Sequence, residues 1–205
     1  MNKYICETEL AASGVFDLIG QDDLVLGCKR AELKSAMTAR QNAQSILYAG
    51  APPSAFGENT TPYFENKVRD ARAKIERVKI EITQIELIIA AKEASLQALA
   101  GAILQIAKQG IAIVHGGLDN CPPGRPVGRE TLSNVIWQGR NQSMHWEENS
   151  FNRRVVACFT NLASDFCSDF KLPATVPRSL AMQVVRLLGW TNYDAYKFDM
   201  ASILR

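Results

Sequence analysis

An arginine, an asparagine and a histidine fall close together in Arg140-Asn141-Gln142-Ser143-Met144-His145, and His145 is one of only two histidines in 205 residues. These are the side chains that metal-free RNA cleavage needs: a permanent cation, an orienting amide and a group that moves protons near neutral pH. When an RNA 2′-OH attacks its own phosphodiester it loses a proton, the leaving 5′-oxygen gains one, and the charge of the phosphorane must be held. His145 suits the proton transfers as base or acid. Arg140 suits the phosphate oxygens through its bidentate fork. Asn141 sits one turn before His145 and can fix the ring or hydrogen-bond the RNA, while Glu148, one turn after, can select the histidine tautomer. That chemistry uses no metal or other cofactor, leaves a 2′,3′-cyclic phosphate and spares DNA.

On a helical wheel Asn134, Gln138, Asn141, His145, Glu148 and Asn152 recur at spacings of four and three and line one face. A solvated face would read the same way, but it favours long Lys and Glu side chains. This stripe holds mostly short amides, and Asn in a helix interior costs several tenths of a kcal/mol against Ala. Gln138 therefore joins Glu148 as a supporting candidate. Arg140 and His145 are five residues apart, so one straight helix turns them roughly 140° from each other. Either the helix ends or distorts near Met144, or a second copy of the chain completes the site. Arg153-Arg154 follows closely and could contact RNA backbone, as could Arg125 and Arg129, though such residues are also ordinary surface. Trp137 and Trp146 could stack bases or serve the core.

The stretch Ile136-Trp137-Gln138-Gly139-Arg140-Asn141-Gln142-Ser143-Met144-His145-Trp146-Glu147-Glu148 resembles the R-N-x-x-x-H signature of HEPN domains, helical domains found in many prokaryotic toxin and phage-defence ribonucleases. The resemblance covers about residues 125–170 and does not reach the N-terminal half. It implies a helical bundle and a metal-independent endoribonuclease in a toxin–antitoxin or antiviral system. It also implies a homodimer whose two motifs face one cleft. RNA would be the substrate, with Arg140, Asn141 and His145 catalytic. An enzyme of this kind needs restraint, so an antitoxin or sensor protein is an expected partner. Some HEPN domains are inactive scaffolds, and a non-catalytic interaction module is the alternative.

The elements that position these residues read as all-α. One helix is expected over about Asn2 to Gln21 and another from Asp22-Asp23 to Tyr48, the paired acids suiting a helix start. Residues 51–59 are rich in turn formers and break the pattern. Val68, Ala71, Ile75, Val78, Ile82, Ile85 and Ile89 then alternate spacings of three and four, and Leu96, Leu99, Ile103 and Ile106 resume them past Lys92. A helix over about 62–108 follows, on the order of 70 Å long, with a heptad seam that fits either a hairpin within the chain or a coiled coil between chains. Residues 111–114 extend it or pack as a loop, and 115–128 reads as loop. Further helices are expected from Arg129 or Glu130 to His145, over Ser150 to Phe170 with Val155, Val156, Phe159, Leu162, Ala163 and Phe166 inward, and from Pro177 to a stop at Gly189. Trp190 to Leu204 closes the chain. Pro173 and Pro177 punctuate. The halves 1–115 and 116–205 are expected to integrate into one domain.

A net charge of +2 gives no global pull toward nucleic acid or membrane, so an RNA contact must be local. Five cysteines at irregular spacing, with no CxxC, suit a reducing compartment. His115 and Cys121 could touch a metal, but no two close ligand pairs accompany them, and no metal site is expected. The N-terminus lacks a basic region before an apolar run, and the charge-free run Ala94 to Ala107 is 14 residues long, too short to span a bilayer. The expectation is a cytoplasmic protein. No P-loop, dinucleotide-binding glycine pattern or serine-hydrolase elbow is present.

Overall fold

The computed structural model describes residues 2–48, 61–148, 150–172 and 177–205. These residues are mostly helical, as expected of an all-α chain. Helices α1 (Lys3–Tyr48) and α2 (Thr61–His115) are long. A hairpin of β1 (Pro126–Val127) and β2 (Glu130–Thr131) follows, then α3 (Leu132–His145), α4 (Arg153–Asp165), α5 (Ala181–Leu187) and α6 (Tyr193–Ile203). Single 3-10 turns lie at Leu118–Asn120, Trp146–Glu148 and Ser168–Phe170. The expected break at 51–59 and the punctuation at Pro173 lie outside the described residues.

The described chain forms two compact units. One runs to Asp22 and resumes over Ala94–Arg205; the other is Asp23–Glu93. In the second unit, Val78, Ile82 and Ile85 of α2 bury themselves with Ala36 of α1, and Leu33 and Ile89 pack alongside. Arg30 of α1 pairs with Glu93 of α2 at 2.7 Å on the surface. Earlier residues of α1 thus meet later residues of α2, which makes the pair antiparallel. Fully burying one such aliphatic side chain contributes about 1.5–3 kcal/mol.

The first unit carries the motif. Its core takes Ile103, Leu104, Ala107 and Ile111 from α2, all fully buried, at spacings that place them on one helical face. Leu132, Val135 and Ile136 of α3, Val155, Phe159 and Leu162 of α4, and Tyr196, Met200 and Ile203 of α6 are buried in the same unit. Tyr4 of α1 donates to the Ile106 carbonyl at 2.7 Å, and Phe16 packs at a tilt against Tyr196 with ring centroids 5.8 Å apart.

Several local expectations change. Residues 3–48 are one helix rather than two; Asp22-Asp23 does not start a helix because no proline or turn sequence stops the one before it. The later long helix continues past Lys108 to His115, where Gly116, at a φ of 75°, ends it by donating its amide to Ala112. The loop reading of 115–128 gives way in part to the hairpin. Val127 pairs with Glu130, leaving a two-residue turn of Gly128 and Arg129, and Gly128 has a φ of 60°, which suits glycine. Val156 and Phe166 face solvent instead of the core. The helix expected from Pro177 begins at Ala181, and Gly189 ends it at a φ of 70°. Among the described residues one helix, α2, is long and apolar enough to cross a membrane by length and composition.

Candidate functional site

Helix α3 presents the motif. Thr131 starts it by accepting the Asn134 amide on its hydroxyl, and buried Leu132, Val135, Ile136 and Gly139 fix its inner face. Gly139 lets α5 approach closely: a Cβ there would lie 3.0 Å from the Val184 side chain, which would have to give by a few tenths of an ångström. The motif's polar residues are thereby sent to other sides of the helix.

Arg140 is half-buried against α2, where its Nε donates to Gln105 Oε1. One turn on, Lys108 Nζ lies 4.6 Å from the centre of the Trp137 ring. The two contacts pair 105 with 140 and 108 with 137, the crossing pattern of antiparallel helices. Burial, and then the Arg140 guanidinium, push the Lys108 ammonium below its ordinary pKa. Asn141 is half-buried, and its side chain makes no hydrogen bond among the described residues. His145 is the last residue of α3 and is exposed. Its Nδ1 lies 2.7 Å from Glu148 Oε1 in the following 3-10 turn. An ionised carboxylate only accepts, so Nδ1 carries the proton and Nε2 is left to exchange one.

The other stripe residues are engaged within the fold. Asn134 donates to Glu130, which also accepts from Asn161 of α4 at 2.7 Å. Gln138 is 1% exposed and donates to Asn134 at 3.0 Å, while its own carbonyl oxygen is buried and has no partner among the described residues. Asn152 caps α4 by accepting the Val155 amide. Trp137 and Trp146 are each half-buried. Among the arginines, Arg153 and Arg154 are exposed, and Arg154 meets Asp119 at 3.3 Å. Arg125 instead grips Asp199 with two nitrogens at 2.9 and 2.8 Å and donates to the Leu188 carbonyl. Arg129 donates to Asp165 through both its amide and its Nε, each at 2.7 Å.

His115 makes a 2.6 Å hydrogen bond through Nε2 to the Ile203 carbonyl, and burial pushes the Cys121 thiol up to about 11. Among the described residues no three His, Cys, Asp or Glu gather as a metal site would require.

Sequence reasoning passed over two glutamines. Gln142, fully buried, donates to the Arg178 carbonyl at 2.7 Å and accepts the Leu180 amide at 2.8 Å. Gln97 accepts the Met182 amide at 3.0 Å. Together they satisfy donors that the first turn of α5 would otherwise leave unpaired. Gln105 and Lys108 were also missed, because nothing in a linear reading joins α2 to the motif. Comparison with protein-family models, with curated proteins and with solved structures found no match.

Proposed function

We propose that the chain is a metal-independent endoribonuclease of the HEPN kind, acting as a homodimer in a toxin–antitoxin or antiviral defence system. The observation that carries this reading is the exposed His145–Glu148 pair at the end of α3, on the same helix as an arginine whose terminal amino groups make no hydrogen bond among the described residues. In the proposed reaction His145 moves protons through Nε2, oriented by Glu148 at Nδ1. Arg140 holds the phosphate oxygens, and Asn141 steadies the ring or the RNA. Arg153 and Arg154 contact the RNA backbone, and an antitoxin or sensor protein holds the enzyme in check.

The test is incubation with total RNA in EDTA beside His145→Ala and Arg140→Ala. Cleavage to 2′,3′-cyclic phosphate ends, lost in both variants, supports the reading; no cleavage, or equal cleavage by all three, refutes it. The dimer has its own test. If the shared cleft holds two sites, each taking Arg140 from one copy and His145 from the other, mixing and reassembling the two inactive variants restores about a quarter of the activity, since half the dimers are mixed and each has one intact site of two. If both residues act within one copy, mixing restores none.

A second reading is favoured by the outer face of α2, where Ile80 and Leu87 are 61% and 67% exposed. Apolar groups left in water suit a non-catalytic module that binds a protein partner along that helix. An RNA-inactive wild type whose association is lost on Leu87→Glu would favour it.

A further inference from the structure

Lys108 has no part in the reaction just proposed, yet it is the cation placed beside Arg140. Its ammonium lies over Trp137 on α3, one turn along from where Gln105 receives Arg140. Both cations are half-buried, and neither has a carboxylate partner among the described residues. Holding two like charges together away from bulk water is unfavourable unless an anion joins them. Gln105 takes only the Nε of Arg140, and a neutral amide at that position leaves the local charge at two positives. Neither terminal amino group of Arg140 makes a hydrogen bond among the described residues, which leaves both for a bidentate contact. We propose that Lys108 and Arg140 form a phosphate-binding pair on the α2–α3 face that holds a phosphodiester of the nucleic-acid strand, an inference that rests on the ribonuclease reading for its ligand. The bland use of Lys108, covering the Trp137 ring with its methylene stem, predicts no dependence of binding on its charge.

A short single-stranded oligothymidylate tests this without the reaction, because it carries the phosphodiester and lacks the attacking 2′-OH. Its binding to the full chain is followed by fluorescence anisotropy over a range of salt, for wild type, Lys108→Gln, Lys108→Arg and Arg140→Gln. Each neutral variant is expected to bind more weakly at low salt. Each should also reduce the slope of log affinity against log salt, by at most about 0.7, the whole of one phosphate contact to a single strand. Lys108→Arg should keep the wild-type slope, which separates lost charge from damaged packing. A wild type that does not bind, or a Lys108→Gln slope and affinity equal to wild type, overturns the proposal. RNA cleavage in EDTA by the same preparations separates the two readings. Cleavage without a Lys108-dependent slope removes the phosphate pair and leaves the nuclease; the slope without cleavage removes the nuclease and leaves an anion site.

Discussion

Replacing Gln142 with leucine keeps the side-chain volume close and removes both hydrogen bonds at the start of α5. The Leu180 amide is buried and loses its acceptor, while the Arg178 carbonyl is only partly buried and can recruit water. A buried group left unpaired costs about 1–3 kcal/mol, and the half-exposed carbonyl falls at the low end, so the sum is about 2–4 kcal/mol. For a chain of this size that lowers the melting temperature by about 5–15 °C. Gln142→Glu makes the sharper test. A protonated carboxyl reproduces the amide, its O–H donating to Arg178 and its other oxygen accepting from Leu180. Ionised, it sets a negative charge against a carbonyl oxygen, so its pKa in the folded chain lies above the unfolded value. The native state then binds more protons than the unfolded state, and stability falls as pH rises. Relative to wild type the loss begins near the unfolded value of about 4.3 and grows by about 1.4 kcal/mol per pH unit until the folded pKa is passed. Urea unfolding of the two proteins at pH 4 and pH 7 measures it. A stability difference that does not widen between those pH values would refute the argument that both ends of Gln142 are engaged.

Asp199 is 4% exposed and accepts from Arg125 and, at 2.8 Å, from the Trp190 indole; Asp199→Ala strands that buried N–H and is expected to cost about 2–5 kcal/mol by chemical denaturation. The Arg129 amide, and then its guanidinium, hold the Asp165 carboxyl below the usual carboxylate range. The contact is therefore complete above the unfolded pKa and lost as pH falls through the lower folded one, a change the Arg129 amide resonance should follow in an NMR titration. Burial pushes the Cys158 thiol up to about 12, with Glu130 adding to the shift, and Cys121 up to about 11. In native protein at pH 8 iodoacetamide should modify exposed Cys6, Cys28 and Cys167 first, and mass spectrometry should find Cys121 and Cys158 unmodified until the chain is denatured.

The helical class was legible because Val, Ile and Thr never alternate over a strand's length, and Gly189 marked a helix end that a positive φ requires. Other features were hidden for physical reasons. The hairpin at 126–131 gives each strand two residues, too few for a period of two to register. The continuity of α1 turns on the absence of a stop, and paired acids that suit a helix start are tolerated inside a long helix. A wheel groups the amides of α3 but cannot say whether a polar residue meets water or the interior. Asn134, Gln138 and Gln142 look alike in sequence with Asn141, yet the first three hydrogen-bond within the fold. Asn and Gln where Lys and Glu would serve a solvated face is the signal for polar contacts, and it does not separate those that hold the fold from those that face a ligand.

Five residues of α-helix carry the chain about 7.5 Å along the axis and about 140° around it, so Arg140 and His145 need separate supports. Gln105 on α2 orients Arg140, and Glu148 beyond the helix end orients His145. Of the two, Gln105 exposes the phosphate argument most directly, because its neutrality matters as much as its hydrogen bond. Gln105→Glu would keep an acceptor for Arg140 and strengthen that contact, while setting a negative charge beside Arg140 and one helical turn from Lys108. Phosphate would then compete with a resident carboxylate. One such interaction at a half-buried, solvent-screened site is worth about 1–2 kcal/mol, so strand affinity should fall about tenfold while folding stability holds or rises. Gln105→Ala, which frees Arg140 without neutralising it, should weaken binding less. That order, opposite to the order of stability, is not what a Gln105 serving only the fold would produce. Equal affinity in Gln105→Glu and wild type would show that the Arg140–Lys108 pair does not bind the strand.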